Sequence, residues 1–226
     1  MSESLAVAVL ASGSGTNLQA IIDRLHLRSE VGVHVAGVIG SRPGIGALER
    51  ASRYDIPTCV HPPEDGGGEW LLHVLEASGV GLVVLAGWLK LIPSDVVRAY
   101  RGRMVNIHPA LLPSFGGPGM YGRRVHEAVV ASGARVSGAT VHFVDEIYDH
   151  GAIIAQWPVP VLEGDDADTL AARILTVEHR LLPQVVEAFS EGRFELTSSG
   201  RVVWADPWFP AETFTMMSQP TACLLY

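Results

Sequence analysis

The amino-acid sequence predicts an α/β fold, with a doubly wound, mostly parallel sheet in a single domain. Apolar and amphipathic segments alternate from residue 5 to residue 108, which is typical of parallel strands joined by right-handed helical crossovers. The segment 80–86 (VGLVVLA) is apolar without alternation, as expected for a strand that helices cover on both faces. Both observations favour an open sheet with helices on its two sides.

The first half of the chain is predicted to contain five strands and four helices. A glycine-rich turn at residues 11–15 separates the first strand from the first helix, where Thr16 and Gln19 match a capping box. Strands are expected at residues 5–10, 33–40, 58–60, 80–86 and 104–108, and helices beginning at residue 16, at 46–54, at 70–77 and beginning at residue 93.

The pattern changes after residue 108, where a loop rich in glycine and proline follows. We expect this loop at 109–122, helices at 125–132 and 168–191, strands at 137–144 and 153–161, and a hairpin over 197–203. These segments complete one domain over residues 1–204, and residues 205–226 form a C-terminal tail of unknown role.

Composition and charge exclude several classes of protein. The chain has 16 basic and 24 acidic residues, a net charge of −8, which argues against nucleic acid as a partner. No apolar run reaches the length of a membrane span, and no signal-peptide pattern opens the chain. Cys59 and Cys223 form neither a metal-ligand spacing nor a disulfide framework. A cytoplasmic protein with no membrane partner is expected.

The end of the strand at 104–108 carries residues suited to polar catalysis. Side chains alternate along a strand, so Asn106 and His108 share one face, roughly 7 Å apart, and Pro109 ends the strand. Asparagine can donate a hydrogen bond to an oxyanion, and histidine can act as an acid or a base near neutrality. In the alternative, a backbone carbonyl satisfies His108 and Asn106 caps a turn. Both interpretations stay open at this point.

The turn at residues 12–17 (SGSGTN) is suited to binding a phosphate group. Free N–H groups at the start of a helix, together with the helix dipole, attract an anion. The sequence is not a Walker A motif, and Leu18 interrupts a match to GxGxxG. In the alternative, the glycines serve only tight packing of the strand against the helix.

Three acids follow the strand at 137–144, and each is a candidate partner for His108. A carboxylate near this imidazole would stabilise its protonated form and raise its pKa. Alternatively Asp145, Glu146 and Asp149 are solvated loop residues. We expect His142, in mid-strand, to be a buried histidine with a hydrogen-bond partner rather than a catalyst. The absence of HxH and CxxC spacings predicts a site without metal.

Taken together, five segments resemble the glycinamide ribonucleotide transformylases, the folate-dependent formyltransferases of purine synthesis. The resemblance covers roughly residues 5–205 and implies a Rossmann-like formyltransferase domain, with a nucleotide-phosphate half up to about residue 108 and a folate and catalytic-loop half after it. The matching segments are 10–23 (LASGSGTNLQAIID), 83–92 (VVLAGWLKLI), 104–115 (MVNIHPALLPSF), 137–156 (SGATVHFVDEIYDHGAIIAQ) and 176–183 (TVEHRLLP).

The resemblance implies a role for each residue of the site. The catalytic residues would be Asn106, His108 and Asp149. The ribonucleotide would be bound by Gly15, Thr16 and Asn17 at its phosphate and by Glu178 at its glycinamide end. The folate would contact Leu89, Lys90, Leu91, Ile92, Asn106 and Asp145.

The implied reaction transfers the formyl group of 10-formyltetrahydrofolate, a co-substrate, to the amine of glycinamide ribonucleotide without a metal. A homodimer is left open. The family commonly has an arginine before the VVLAG strand, but residues 64–70 here read EDGGGEW, which puts recognition of the folate glutamate tail in doubt.

Two rival functions are considered. One is a formyltetrahydrofolate hydrolase or a transferase acting on another substrate, although such enzymes carry an extra domain for which we expect no room before residue 5 or in the tail. The other is a module that binds a phosphorylated metabolite and performs no reaction, which would not need Asn106, His108 and Asp149 to converge.

Overall fold

The computed structural model describes residues 4–62 and 67–206. This part of the chain contains nine strands and six α-helices. The strands are β1 Leu5–Ala11, β2 Val33–Gly40, β3 Thr58–Val60, β4 Leu82–Leu85, β5 Met104–His108, β6 Val136–Phe143, β7 Ile153–Pro160, β8 Phe194–Leu196 and β9 Val202–Trp204. The helices are α1 Thr16–Ile21, α2 Gly46–Ser52, α3 Gly67–Ala77, α4 Ser94–Ala99, α5 Arg123–Ser132 and α6 Ala167–Ser190, and a π-helical turn, Ile22–His26, continues α1.

The main sheet has seven strands in the order β3-β2-β1-β4-β5-β6-β7. The first five strands in sequence pair in parallel, and β6 and β7 pair antiparallel at one edge. The strand order reverses between β1 and β4, which is where ligands bind in doubly wound sheets. The predicted fold class is confirmed.

Helices cover both faces of this sheet, as the apolar strand segments predict. In β4, Leu82 and Val84 belong to one buried cluster, whereas Val83 and Leu85 belong to the other. Because alternate side chains of a strand point to opposite faces, a strand that is apolar throughout needs cover on both sides. Here α1 and α6 cover one face, and α3 and α4 cover the other.

The start of α1 differs from the prediction. Gly15, not Thr16, is the N-cap, and its backbone is left-handed with φ 75°, so Thr16 is the first helical residue. No side chain caps this helix, and the predicted capping box of Thr16 and Gln19 is wrong. The side chain of Gln19 instead donates to Asp23 at 2.8 Å and to Tyr54 at 2.9 Å.

A capping box does occur at the start of α6. The Asp166 carboxylate accepts from the Thr169 N–H at 2.8 Å, and the Thr169 hydroxyl is 2.9 Å from the Asp166 nitrogen. This helix packs against α1, α5, β6 and β7, and therefore joins both halves of the domain. The proposed division near residue 108 stays a prediction.

The predicted C-terminal hairpin is present as β8 and β9, which pair antiparallel. It packs on the main sheet, because the Trp204 indole nitrogen donates to the Ile154 carbonyl at 3.2 Å and Phe194 lies against Phe143 with ring centroids 6.0 Å apart. The part of the predicted tail beyond residue 206, and residues 63–66 of the segment before β4, lie outside the described residues.

Candidate active site

A cavity of about 610 Å³ opens at the carboxyl ends of β1, β4 and β5. Two hydrogen bonds join the loops that follow β1 and β4: the Ser12 N–H donates to the Gly87 carbonyl at 3.1 Å, and the Leu89 N–H donates to the Ser12 hydroxyl at 3.2 Å. The cavity thus lies at the reversal of strand order, where this class of fold places its ligands.

The glycine-rich turn forms one wall of this cavity. Gly15 has φ 75°, and a Cβ there would lie 2.6 Å from the Ala47 Cα, so only glycine fits without displacing α2. In the described part of the chain, the N–H groups of residues 13–17 donate to no protein acceptor. Among the described residues, no lysine or arginine lines the cavity. A bound phosphate would therefore rely on backbone N–H groups.

Asn106, His108 and Asp149 converge at the floor of the cavity. The His108 Nδ1 lies 3.4 Å from the Asp149 Oδ1, and the Asn106 amide donates to the same oxygen at 3.3 Å. The other carboxylate oxygen accepts from the Gly117 N–H at 2.9 Å. Asp149 has a left-handed backbone, with φ 53°. The loop after β6 thus brings its carboxylate to the face of β5 that carries Asn106 and His108.

The electrostatics of this cluster favour a charged pair. Burial alone raises the pKa of the Asp149 carboxyl, but a hydrogen bond from His108, the charge of His108 and the Gly117 N–H together lower it well below its ordinary value. The His108 Nε2 lies 2.8 Å from the Phe115 carbonyl. Because both partners of the His108 ring are acceptors, the protonated ring, with two N–H donors, satisfies both.

His142 is buried and has partners, as expected, but it also contacts the candidate catalytic residues. Its Nδ1 donates to the Phe143 carbonyl at 2.7 Å, which leaves Nε2 as an acceptor 3.0 Å from the Asn106 amide nitrogen. Asn106 is held between His142 and Asp149 as a result. The contact follows from the β5–β6 register, which pairs Asn106 with His142. No local sequence pattern reports that register.

Glu178 lies on α6 and faces the cavity with only 7% of its surface exposed. Burial raises the pKa of its carboxyl, and a hydrogen bond from Asn17 and the charge of His108 oppose this in part. The Asn17 amide donates to the Glu178 Oε2 at 2.7 Å. Gly15, Thr16 and Asn17 all line the cavity, but the side chain of Asn17 is engaged with Glu178.

The residues expected to contact folate divide between two adjoining cavities. Leu89 lines the larger cavity, and a second cavity of about 50 Å³ is lined by Lys90, Leu91, Ile92 and Asp145. Both cavities are also lined by Trp88, Asn106, Tyr148 and Asp149. Two ligands bound in these cavities would therefore meet at Asn106 and Asp149.

The three candidate acids have different surroundings. The Asp145 carboxylate lies 2.6 Å from the His150 Nδ1 and accepts from the Ile147 N–H at 2.9 Å. Glu146 is exposed and lies 3.9 Å from Arg98. Only Asp149 of the three is paired with His108.

A buried hydroxyl that the sequence did not single out anchors the loop after β5. The Thr140 hydroxyl donates to the Ala110 carbonyl at 2.6 Å and accepts from the Leu112 N–H at 3.1 Å. Gln156 adds a donor to the same hydroxyl at 3.0 Å and to the Leu112 carbonyl at 2.8 Å. These bonds fix the loop that begins directly after His108.

His126, to which no sequence motif assigned a role, also lies at the larger cavity. It lines the larger cavity from α5 and is buried. Burial lowers the pKa of its ring, and the charge of His108 lowers it further.

Within the described residues, no group of three or more potential ligands is placed to hold a metal ion. No helix in this part of the chain has both the length and the apolar character to cross a membrane.

Comparison with known proteins identifies the family. The formyl transferase domain matches residues 5–186. The chain belongs to the formyl transferase family. It is 44% identical over 202 residues to a chloroplastic phosphoribosylglycinamide formyltransferase of Vigna unguiculata, covering 86% of this chain but 64% of that relative, somewhat less than two thirds of its length. The resemblance stated from the sequence is thereby confirmed.

Solved structures of the family have the same fold. Glycinamide ribonucleotide transformylase 1 from Symbiobacterium toebii superposes with a TM-score of 0.83 at 38% identity, covering 91% of this chain and 96% of that one. A formyltetrahydrofolate deformylase from Pseudomonas syringae superposes with a TM-score of 0.81 at 25% identity, covering 91% of this chain and 67% of that one. The fold therefore occurs both in a transformylase and in a deformylase.

Proposed function

We propose that this chain transfers the formyl group of 10-formyltetrahydrofolate to the amine of N1-(5-phospho-D-ribosyl)glycinamide in de novo purine synthesis. The observation that carries this proposal is the pair of adjoining cavities, both lined by Asn106 and Asp149. The larger one has the free N–H groups of the glycine-rich turn at one wall and Glu178 at another, which suits a ligand with a phosphate and an amine. The transformylases among the relatives support the choice of substrates.

In the proposed reaction, the neutral amine of the ribonucleotide attacks the formyl carbon of the folate. The carbonyl oxygen becomes an oxyanion, which the positive charge of His108 stabilises. The Asn106 amide adds a hydrogen bond to this oxygen when it exchanges its 3.3 Å bond to Asp149 for one to the substrate. Asp149, whose Oδ1 lies 3.4 Å from the His108 Nδ1, holds the ring in place. The amine then loses a proton, N10 of the folate gains one, and the C–N10 bond breaks to release tetrahydrofolate. Holding both substrates together supplies much of the rate.

The test is an absorbance assay of the folate product with purified protein and 10-formyltetrahydrofolate, with and without glycinamide ribonucleotide. We expect turnover only with the ribonucleotide. His108→Ala should remove most transfer, whereas His73→Ala, the same change on an exposed position of α3, should not. Full activity of the His108 variant would contradict the proposed chemistry.

A hydrolase is the second candidate, because the Pseudomonas syringae deformylase has the same fold. In that case folate turnover would proceed without the ribonucleotide, with water as the formyl acceptor. The same assay therefore separates the two reactions. The cytoplasmic location and the open question of a homodimer stay as the sequence left them.

A further inference from the structure

The hydrogen bond between Asn17 and Glu178 joins two walls of the larger cavity. Asn17 lies at the start of α1 in the glycine-rich turn, and Glu178 lies on α6, so 161 positions of sequence separate the two. Their 2.7 Å contact is short, and the acceptor is a buried carboxyl group. Hydrogen bonds of this kind, to ionised groups, are roughly twice as strong as neutral ones.

We propose that Asn17 is a positioning residue, whose side-chain amide holds Glu178 toward the amine of the ribonucleotide, while only its backbone N–H belongs to the phosphate-binding turn. This inference rests on the proposed function and changes the role that the resemblance implies for Asn17. It also joins the two ends of the ribonucleotide through one residue.

The hydrogen-bonding capacity of the Asn17 side chain supports this assignment. Its amide nitrogen already donates to Glu178, and its Oδ1 is buried without a donor among the described residues. Phosphate oxygens are acceptors, so they gain nothing from another acceptor oxygen. An amine or amide N–H, by contrast, is the partner that the Asn17 Oδ1 lacks. The side chain therefore suits the glycinamide end.

The first test measures the two ends of the ribonucleotide separately in Asn17→Ala. Hydrogen bonds to charged groups contribute about 1.5–3 kcal/mol, so the KM for glycinamide ribonucleotide should rise roughly 10- to 150-fold. Inorganic phosphate, used as a competitive inhibitor, probes the turn alone, and its Ki should stay within about twofold of the wild type. A Ki that rises in parallel with KM would overturn the inference, because Asn17 would then bind phosphate through its side chain.

The second test is a double-mutant cycle with Glu178→Ala, which removes the acceptor of the Asn17 amide. If Asn17 acts through Glu178, adding Asn17→Ala to Glu178→Ala should raise KM less than about twofold further. Independent, additive losses would overturn the inference. Asn17→Ser, whose side chain is too short to replace the amide, gives the same comparison if the alanine variant does not fold. A wild-type protein with no ribonucleotide-dependent turnover would instead contradict the proposed function.

A pH profile separates positioning from a general structural effect. Asn17→Asp places a second carboxyl group against Glu178, and two such groups at hydrogen-bond distance share one proton. The rise of KM at low pH should then begin at a higher pH than in the wild type, whereas Asn17→Ala should not show this shift. An unchanged profile in Asn17→Asp would overturn the inference.

Discussion

The substitution of Asp149 by asparagine isolates the charge of the candidate catalytic carboxylate. Asparagine has nearly the same shape, and it tolerates the left-handed backbone that Asp149 adopts, with φ 53°. An amide has one acceptor oxygen where the carboxylate has two. If that oxygen still accepts the hydrogen bond from the Gly117 N–H, the new NH₂ group faces the His108 ring and the Asn106 amide, which are themselves donors. The change therefore removes the charge and two acceptor contacts.

The size of the effect follows from the 3.4 Å separation of the His108 Nδ1 and the Asp149 Oδ1. At an effective dielectric constant of about 20, two unit charges at this separation interact by about 5 kcal/mol, which is an upper bound. Measured hydrogen bonds to charged groups contribute about 1.5–3 kcal/mol. Because each 1.4 kcal/mol corresponds to a factor of ten, kcat should fall about 10- to 150-fold.

The assay is initial-rate formyl transfer at saturating substrates, followed by folate absorbance. Asp55→Asn is the matched control, because Asp55 is exposed, has nearly the same backbone with φ 56°, and does not line the cavity. We expect the control to keep the wild-type kcat. A kcat for Asp149→Asn within about twofold of the wild type would refute the charge-pair reasoning.

Three further predictions test the turn, the loop after β5 and the buried carboxyl. Gly15→Ala should raise the KM for the ribonucleotide far more than the KM for folate, since the new Cβ would clash with Ala47. The control is Gly79→Ala, at a position with φ 61° and no atom near the new Cβ, and it should change neither KM. Thr140→Val should lower the free energy of unfolding, measured in urea, by about 1–3 kcal/mol by leaving buried groups unpaired, and Thr140→Ser should restore it. The pKa of Glu178 is raised above the ordinary 4.5, so the KM for the ribonucleotide should rise as the pH falls through that raised pKa and the carboxylate becomes protonated. If the KM of Glu178→Gln rose at low pH as it does in the wild type, this assignment would be contradicted.

The elements of the fold that depend on local patterns could be predicted from the sequence. The predicted strand at 104–108 matches β5 at both ends, and the predicted helix at 125–132 matches α5 within two residues. Both predictions rest on apolar periodicity, which is a property of short windows of sequence. The antiparallel edge formed by β6 and β7 depends on which strands pair, and no local window carries that information. The capping box predicted for α1 was wrong, since Gly15 takes a left-handed conformation that places the N-cap before Thr16.

The candidate site, like the fold, could be predicted only in part from local sequence patterns. A two-residue period places Asn106 and His108 on one face without any tertiary knowledge. Selecting Asp149 from three acids needed the family resemblance, and the structure supplies the physical reason. Asp145 is already paired with His150, whereas the left-handed backbone at Asp149 turns its carboxylate toward His108.

Contacts between residues distant in sequence decide what each polar side chain can do. Asn106 and His142 come together because β5 and β6 pair in one register, and a slip of one residue would turn His142 to the opposite face. Asn17 meets Glu178 because α1 packs on α6. In both cases an asparagine amide donates to a buried acceptor, so each carboxamide is oriented before a substrate binds. The packing of this fold therefore sets the orientation of both asparagines. A substitution at His142 should act on the reaction through Asn106, and a substitution at Asn17 should act through Glu178.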